Sequence, residues 1–173
     1  EQESVNIKSI SLANIGATGI DATGTLAPNA DVVADNLSVD ASSGAVGVNL
    51  NDDINLEIIN SDIADVTRAV VVADGKEVTV TNTRITGASG QEAIHINQPG
   101  ANADITIDGK TSIDQTNGDA IEVALGDADD GQSVTIDDVI INGSTGAGVQ
   151  IVDLQDSSGP RPTVDITNST LSH

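Results

Sequence analysis

Apolar residues recur along the chain in short alternating runs. Val78, Val80 and Ile85 surround a polar Asn82, and the apolar-x-apolar pair Ile94-His95-Ile96 follows. Val134, Ile136 and Ile141 surround Asp138 in the same spacing, and Val149-Gln150-Ile151 follows. Apolar residues thus stand at relative positions 1, 3 and 8, and a polar residue stands at position 5. The unit recurs from residues 5, 32, 56, 78, 105, 134 and 164, at intervals of 22 to 30 residues. Most of the length variation falls between the closing pair and the next start.

Alternation at period two predicts strands, and no segment keeps a helical period. Val, Ile and Thr fill the strand positions, which suits a pleated, half-buried surface. One such unit buries almost nothing alone. Stacked on its neighbours about 4.8 Å apart, it buries its inner residues and pairs its backbone above and below. The expected fold is all-β: a single-stranded parallel β-helix of six to seven coils with three short parallel sheets. From that spacing the rod is roughly 30 Å long. The expected domain is one, over residues 1–173. Both ends read as cuts in a longer protein, because Glu1 is no initiator and the seventh unit stops at His173.

Composition changes this picture at two points. The 173 residues carry 27 Asp+Glu against 6 Lys+Arg, with no Cys, Met, Phe, Trp or Tyr. High charge without aromatics is also the signature of disorder, but a disordered tract does not hold an inner-outer alternation over seven cycles. The same counts nearly exclude nucleic acid as a partner, since phosphate binding needs clustered cations and base stacking needs aromatics. They also exclude disulfides and thiolate chemistry. No apolar run approaches the roughly 18 residues of a membrane-spanning helix.

Polar corners are expected at Ser9, Asn36, Asn60, Asn82, Asp138 and Asn168. Asn tolerates left-handed backbone and bonds backbone groups at bends. Stacking would let Asn36, Asn60, Asn82 and Asn168 form a structural ladder, with a buried polar requirement behind it. The residue inside each closing pair points outward, predicting a row of Asp21, Gly47, Val71, His95, Glu122 and Gln150. His95 and Glu122 should be neighbours, a pairing that serves acid-base chemistry or, more commonly, is a weak surface ion pair. A second outward face runs through Thr79, Thr106 and Thr135.

No cofactor is expected, and no catalytic residue is assigned. Calcium is the candidate ion, at Asp127, Asp129 and Asp130, whose carboxylates share a loop with Gly131. Oxygen-rich flexible loops suit calcium, although the spacing is not that of a helix-loop-helix calcium site and a solubilising acidic loop is the plainer reading. The loops around 23–31, 97–104, 124–133 and 152–163 leave one edge of the rod, where recognition commonly sits.

The pattern of strand, Asn corner, strand, Gly, loop and closing pair resembles right-handed β-helices of the pectate-lyase-like type. Residues 78–87 and 164–171 carry that likeness, and it is nearest to passenger domains of pertactin-like autotransporters. The resemblance implies a non-enzymatic adhesin segment at the bacterial cell surface or secreted, anchored through a translocator outside this stretch. Its partners would be host cell-surface protein, matrix or glycan, or further copies of itself in a biofilm. A polysaccharide-active enzyme, a phage tailspike and a structural stalk are the other uses of the same fold. The scattered positions of Lys8, Arg68, Lys76, Arg84, Lys110 and Arg161 disfavour a lyase acting on acidic sugars.

Overall fold

Alternation of inner and outer side chains leaves this chain one way to hide its aliphatic residues, which is to coil. The structure, a computed structural model, describes residues 3–23, 30–41, 44–51, 53–100, 102–125, 131–153 and 162–172. The first coil contains β1 (Ser4–Lys8), β2 (Ser11–Ile15) and β3 (Thr18–Ala22). The second contains β4 (Asp31–Asp35), β5 (Ser38–Ala41) and β6 (Val46–Leu50), and the third β7 (Asn55–Ile59), β8 (Asp62–Ala64) and β9 (Arg68–Ala73). The fourth contains β10 (Glu77–Thr81), β11 (Arg84–Thr86) and β12 (Glu92–Asn97), and the fifth β13 (Asp104–Asp108), β14 (Ser112–Asp114) and β15 (Asp119–Leu125). The sixth contains β16 (Ser133–Asp137), β17 (Ile140–Asn142) and β18 (Val149–Asp153). A partial seventh adds β19 (Thr163–Thr167) and β20 (Thr170–Ser172).

Every third strand pairs in parallel, giving sheets of seven, seven and six strands. The first sheet aligns Val5, Val32, Leu56, Val78, Ile105, Val134 and Val164 as successive partners, the register expected from the repeat. The inward columns are continuous. Val32, Leu56, Val78, Ile105 and Val134 form one, none more than 2 % exposed. Val39, Ile63, Ile85, Ile113 and Ile141 form the column of the second sheet, and Val48, Val70, Ile94 and Ile121 a column of the third. Each fully buried Ile or Leu contributes about 1.5–3 kcal/mol relative to exposure. The columns end where a strand has a neighbour on one side only, so Val5, Val164, Ile166 and Leu171 are 38 to 48 % exposed.

All six expected corner residues adopt left-handed backbone, with φ between 47° and 57°. At Ser9, Asn36, Asn60, Asn82 and Asp138 the bend turns the corner N–H along the rod axis onto a carbonyl of the next coil. Asn36 N–H bonds Ile59 O at 3.0 Å and Asn60 N–H bonds Thr81 O at 3.1 Å. The fifth coil, with its extra residue, turns on Gly109 and Lys110 instead.

The corner side chains depart from the expected buried ladder. Asn36, Asn60, Asn82 and Asn168 are exposed. Asn36 donates to Ser9 Oγ and Asn82 to Asn60 Oδ1, but Asn60 turns to Asp35 and Asn168 to Asp137. The ladder breaks because outward carboxylates beside the corner are stronger acceptors than a neutral amide. The buried polar row lies one residue further on, at Ser61, Thr83 and Thr111. Thr83 N–H and Leu37 N–H bond the hydroxyls of Thr111 and Ser61 in the next coil, and those hydroxyls donate to backbone carbonyls. Each corner hydroxyl thus stands in for a backbone carbonyl that the bend has moved out of reach.

Candidate functional site

The third sheet breaks the simple alternation. In β9, β12 and β15 two successive residues point inward: Ala69 and Val70, Ala93 and Ile94, Ala120 and Ile121. Small Ala or Gly at the first of these lets the strand turn toward the core. The doubled inward step throws the residues three apart onto the same outer face. Arg68 and Val71, Glu92 and His95, Asp119 and Glu122 therefore form two adjacent outward rows.

This geometry corrects one expected position. Gly47 lies on the inside, where an added Cβ would sit 2.5 Å from Ala69 O and 2.9 Å from the Ile63 side chain. The outward residue in that coil is Asn49, which pairs with Asp21 on one side and Val71 on the other. Asn49 Nδ2 donates to Asp21 Oδ1 at 3.1 Å. Two overlapping apolar pairs, Val46-Gly-Val48 and Val48-Asn-Leu50, offered two registers, and the tight approach of Gly47 to the next coil selects the second. The rest of the row runs Val71, His95, Glu122 and Gln150, in that order along the rod.

Where Glu92 joins His95 and Glu122, the row becomes a site. Glu92 is 7 % exposed. Arg68 Nε and Nη2 both reach its Oε2 at 2.7 Å, and Arg68 also donates to Gln91 Oε1 at 3.3 Å. His95 Nδ1 lies 3.7 Å from the same Glu92 Oε2, too far for a hydrogen bond. That nitrogen is buried and has no hydrogen-bond partner among the described residues. Glu122, directly across the strand pair from His95, shares a hydrogen bond with the Glu92 carboxyl. Burial raises the Glu122 carboxyl above the usual carboxylate range. The Glu92 charge and the bond with Glu92 add to the shift, Asp119 contributes, and His95 opposes it. Two carboxyls in hydrogen-bond contact cannot both ionise without cost.

Glu92, His95 and Glu122 each offer a ligand atom, and these atoms lie within 4.8 Å of one another. Such a set can share a proton or hold a divalent cation. Sequence reasoning paired His95 with Glu122 and missed Glu92 and Arg68. The signal was present in three aligned tetrapeptides, Arg68-Ala-Val-Val71, Glu92-Ala-Ile-His95 and Asp119-Ala-Ile-Glu122. Asp127, Asp129 and Asp130 lie outside the described residues.

The outer face of the first sheet is built differently. Asp31, Asn55 and Glu77 line a shallow groove with Glu57 and Thr79. Asn55 Nδ2 donates to Asp31 Oδ1 at 3.0 Å. Thr167 and Asn168 both donate to Asp137, holding its carboxyl below the usual range, with the Thr167 bond the larger cause.

A three-sheeted coil with aliphatic columns and left-handed polar corners defines the class. The family described as the right-handed beta helix region matches residues 46–173, and the chain belongs to that family. No curated protein and no solved structure matches it.

Proposed function

We propose that the chain is a non-enzymatic adhesin segment, displayed at a bacterial cell surface or secreted as in pertactin-like passengers. The observation that carries this reading is the outward face of the first sheet. Its side chains stand in register over seven strands, a lattice with one row every ~4.8 Å. Such a face meets a partner through many weak polar contacts, and avidity follows from their number. The partner is host cell-surface protein, matrix or glycan, or a second copy of the rod. A formal charge of -21 favours cationic partners or contacts bridged by divalent ions. Calcium at Asp127, Asp129 and Asp130 belongs to this reading, and calorimetry without heat at millimolar calcium would remove it.

Deleting two coils from the parent protein, in frame, tests the proposal. Adhesion or biofilm should fall while surface display persists. Full retention of both would leave the stalk as the better account. The Glu92–Glu122 pair favours a second reading, a polysaccharide-active enzyme. New reducing ends or unsaturated products from a polysaccharide panel, lost in Glu122→Gln, would support it.

A further inference from the structure

Two carboxylates and an imidazole converge on one point of the third sheet, and the imidazole nitrogen facing them is unused. Glu92 and His95 come from a single strand, three residues apart, and Glu122 from the strand beside it. Their ligand atoms lie within 4.8 Å of one another, with His95 Nδ1 3.7 Å from Glu92 Oε2. Buried polar atoms nearly always find a partner, and His95 Nδ1 has none among the described residues. A further group is therefore called for between imidazole and carboxylates.

We infer that Glu92, His95 and Glu122 form a binding site for a first-row divalent transition ion, zinc being the best fit. Imidazole nitrogen with carboxylate oxygen suits zinc, whereas calcium takes oxygen alone. Tetrahedral zinc with bonds near 2.1 Å sets its ligand atoms about 3.4 Å apart. The side chains need to close by about 1.5 Å at most, within the reach of a Glu rotamer. The backbone needs no movement, since both strands are fixed by the ladder. Arg68 supports the site from behind: it grips Glu92 Oε2, as outer-shell donors commonly orient ligating carboxylates. A bound cation would also replace the carboxyl–carboxyl contact between Glu92 and Glu122 with two attractive ones. Three protein ligands leave a fourth position for water or for a donor from a partner surface. The inference stands apart from the adhesive reading and survives its failure.

The test is zinc titration of the full chain in millimolar calcium, which saturates unspecific carboxylates without satisfying an imidazole site. Calorimetry should give one equivalent of zinc. The chain has two histidines, His95 and His173, so imidazole nitrogen NMR identifies the ligand. The His95 Nδ1 resonance should move on zinc addition, and His173→Ala should leave the titration unchanged. His95→Gln and Glu122→Gln should each weaken zinc by about tenfold or more, with metal-free circular dichroism confirming the fold. An unmoved His95 resonance overturns the inference. So does zinc uptake that calcium displaces, or equal uptake by His95→Gln and the unsubstituted chain.

Discussion

Thr111 Oγ1 accepts the backbone N–H of Thr83 from the neighbouring coil at 3.2 Å and donates to Asp108 O at 2.7 Å. Thr111 is 0 % exposed, so neither bond has a water alternative. Thr111→Val keeps the shape and removes the hydroxyl, leaving a buried amide unpaired. An unsatisfied buried donor costs about 1–3 kcal/mol. Thermal melts followed by circular dichroism should show a clear fall for Thr111→Val. An unchanged melting temperature would mean that the Thr83 amide finds another acceptor.

At the corner itself the backbone decides, not the amide ladder. Asn82 has φ of 47° and an exposed side chain. Asn82→Leu should lose about 1 kcal/mol, because an aliphatic side chain lacks the local hydrogen bonding by which Asn offsets the cost of left-handed backbone. Asn82→Gly should hold its stability, since glycine accepts that conformation without a Cβ penalty. Equal losses in both variants would mean that the amide bond to Asn60 governs the corner after all. The comparison needs only melting curves under one buffer.

How much of this was legible in the sequence follows from what alternation encodes. The starts of all seven coils could be read because Val, Ile, Leu and Ala at period two admit one register in each strand of the first sheet. The corners could be read because Asn and Asp tolerate left-handed backbone. Ser61, Thr83 and Thr111 were not recognised as buried, because two polar residues in succession do not say which one faces in. Glu92 stayed hidden for a related reason. The doubled inward step at Ala93 and Ile94 shifts the outward phase by one residue, and strict alternation assigns Glu92 to the wrong side. Gly47 was misplaced by the same step.

Gly118 sets how closely the fifth coil approaches the site. Its φ is 158°, and an added Cβ would collide with the carbonyl of Gln91. Asp119 N–H bonds that same carbonyl at 2.7 Å, so the coil cannot withdraw without losing a ladder bond. Gly118→Ala should destabilise the rod by about 2–3 kcal/mol through backbone displacement. It should also separate Glu122 from Glu92 and weaken zinc binding. Thermal melts and zinc calorimetry on the same variant measure both effects. Unaltered values in the two experiments would show that the neighbouring coils slide apart at little cost.

Glu122 provides the pH test, made on metal-free protein in chelator. Its folded carboxyl is raised above the unfolded value, with burial as the first cause and the Glu92 charge as the second. The folded state therefore binds this proton more tightly than the unfolded state does. Its stabilising contribution is complete below the unfolded value and is lost as pH rises through the raised folded one. Glu122→Gln imitates the protonated form and keeps a donor for Glu92. The variant should melt above the unsubstituted chain at neutral pH, and the gap should close as pH falls below about 4, where the unfolded carboxyl is itself protonated. Zinc should narrow or reverse the gap, raising the melting temperature of the unsubstituted chain more than that of Glu122→Gln. If the variant instead melts lower at neutral pH without metal, an ionised Glu122 is already paired with a positive charge.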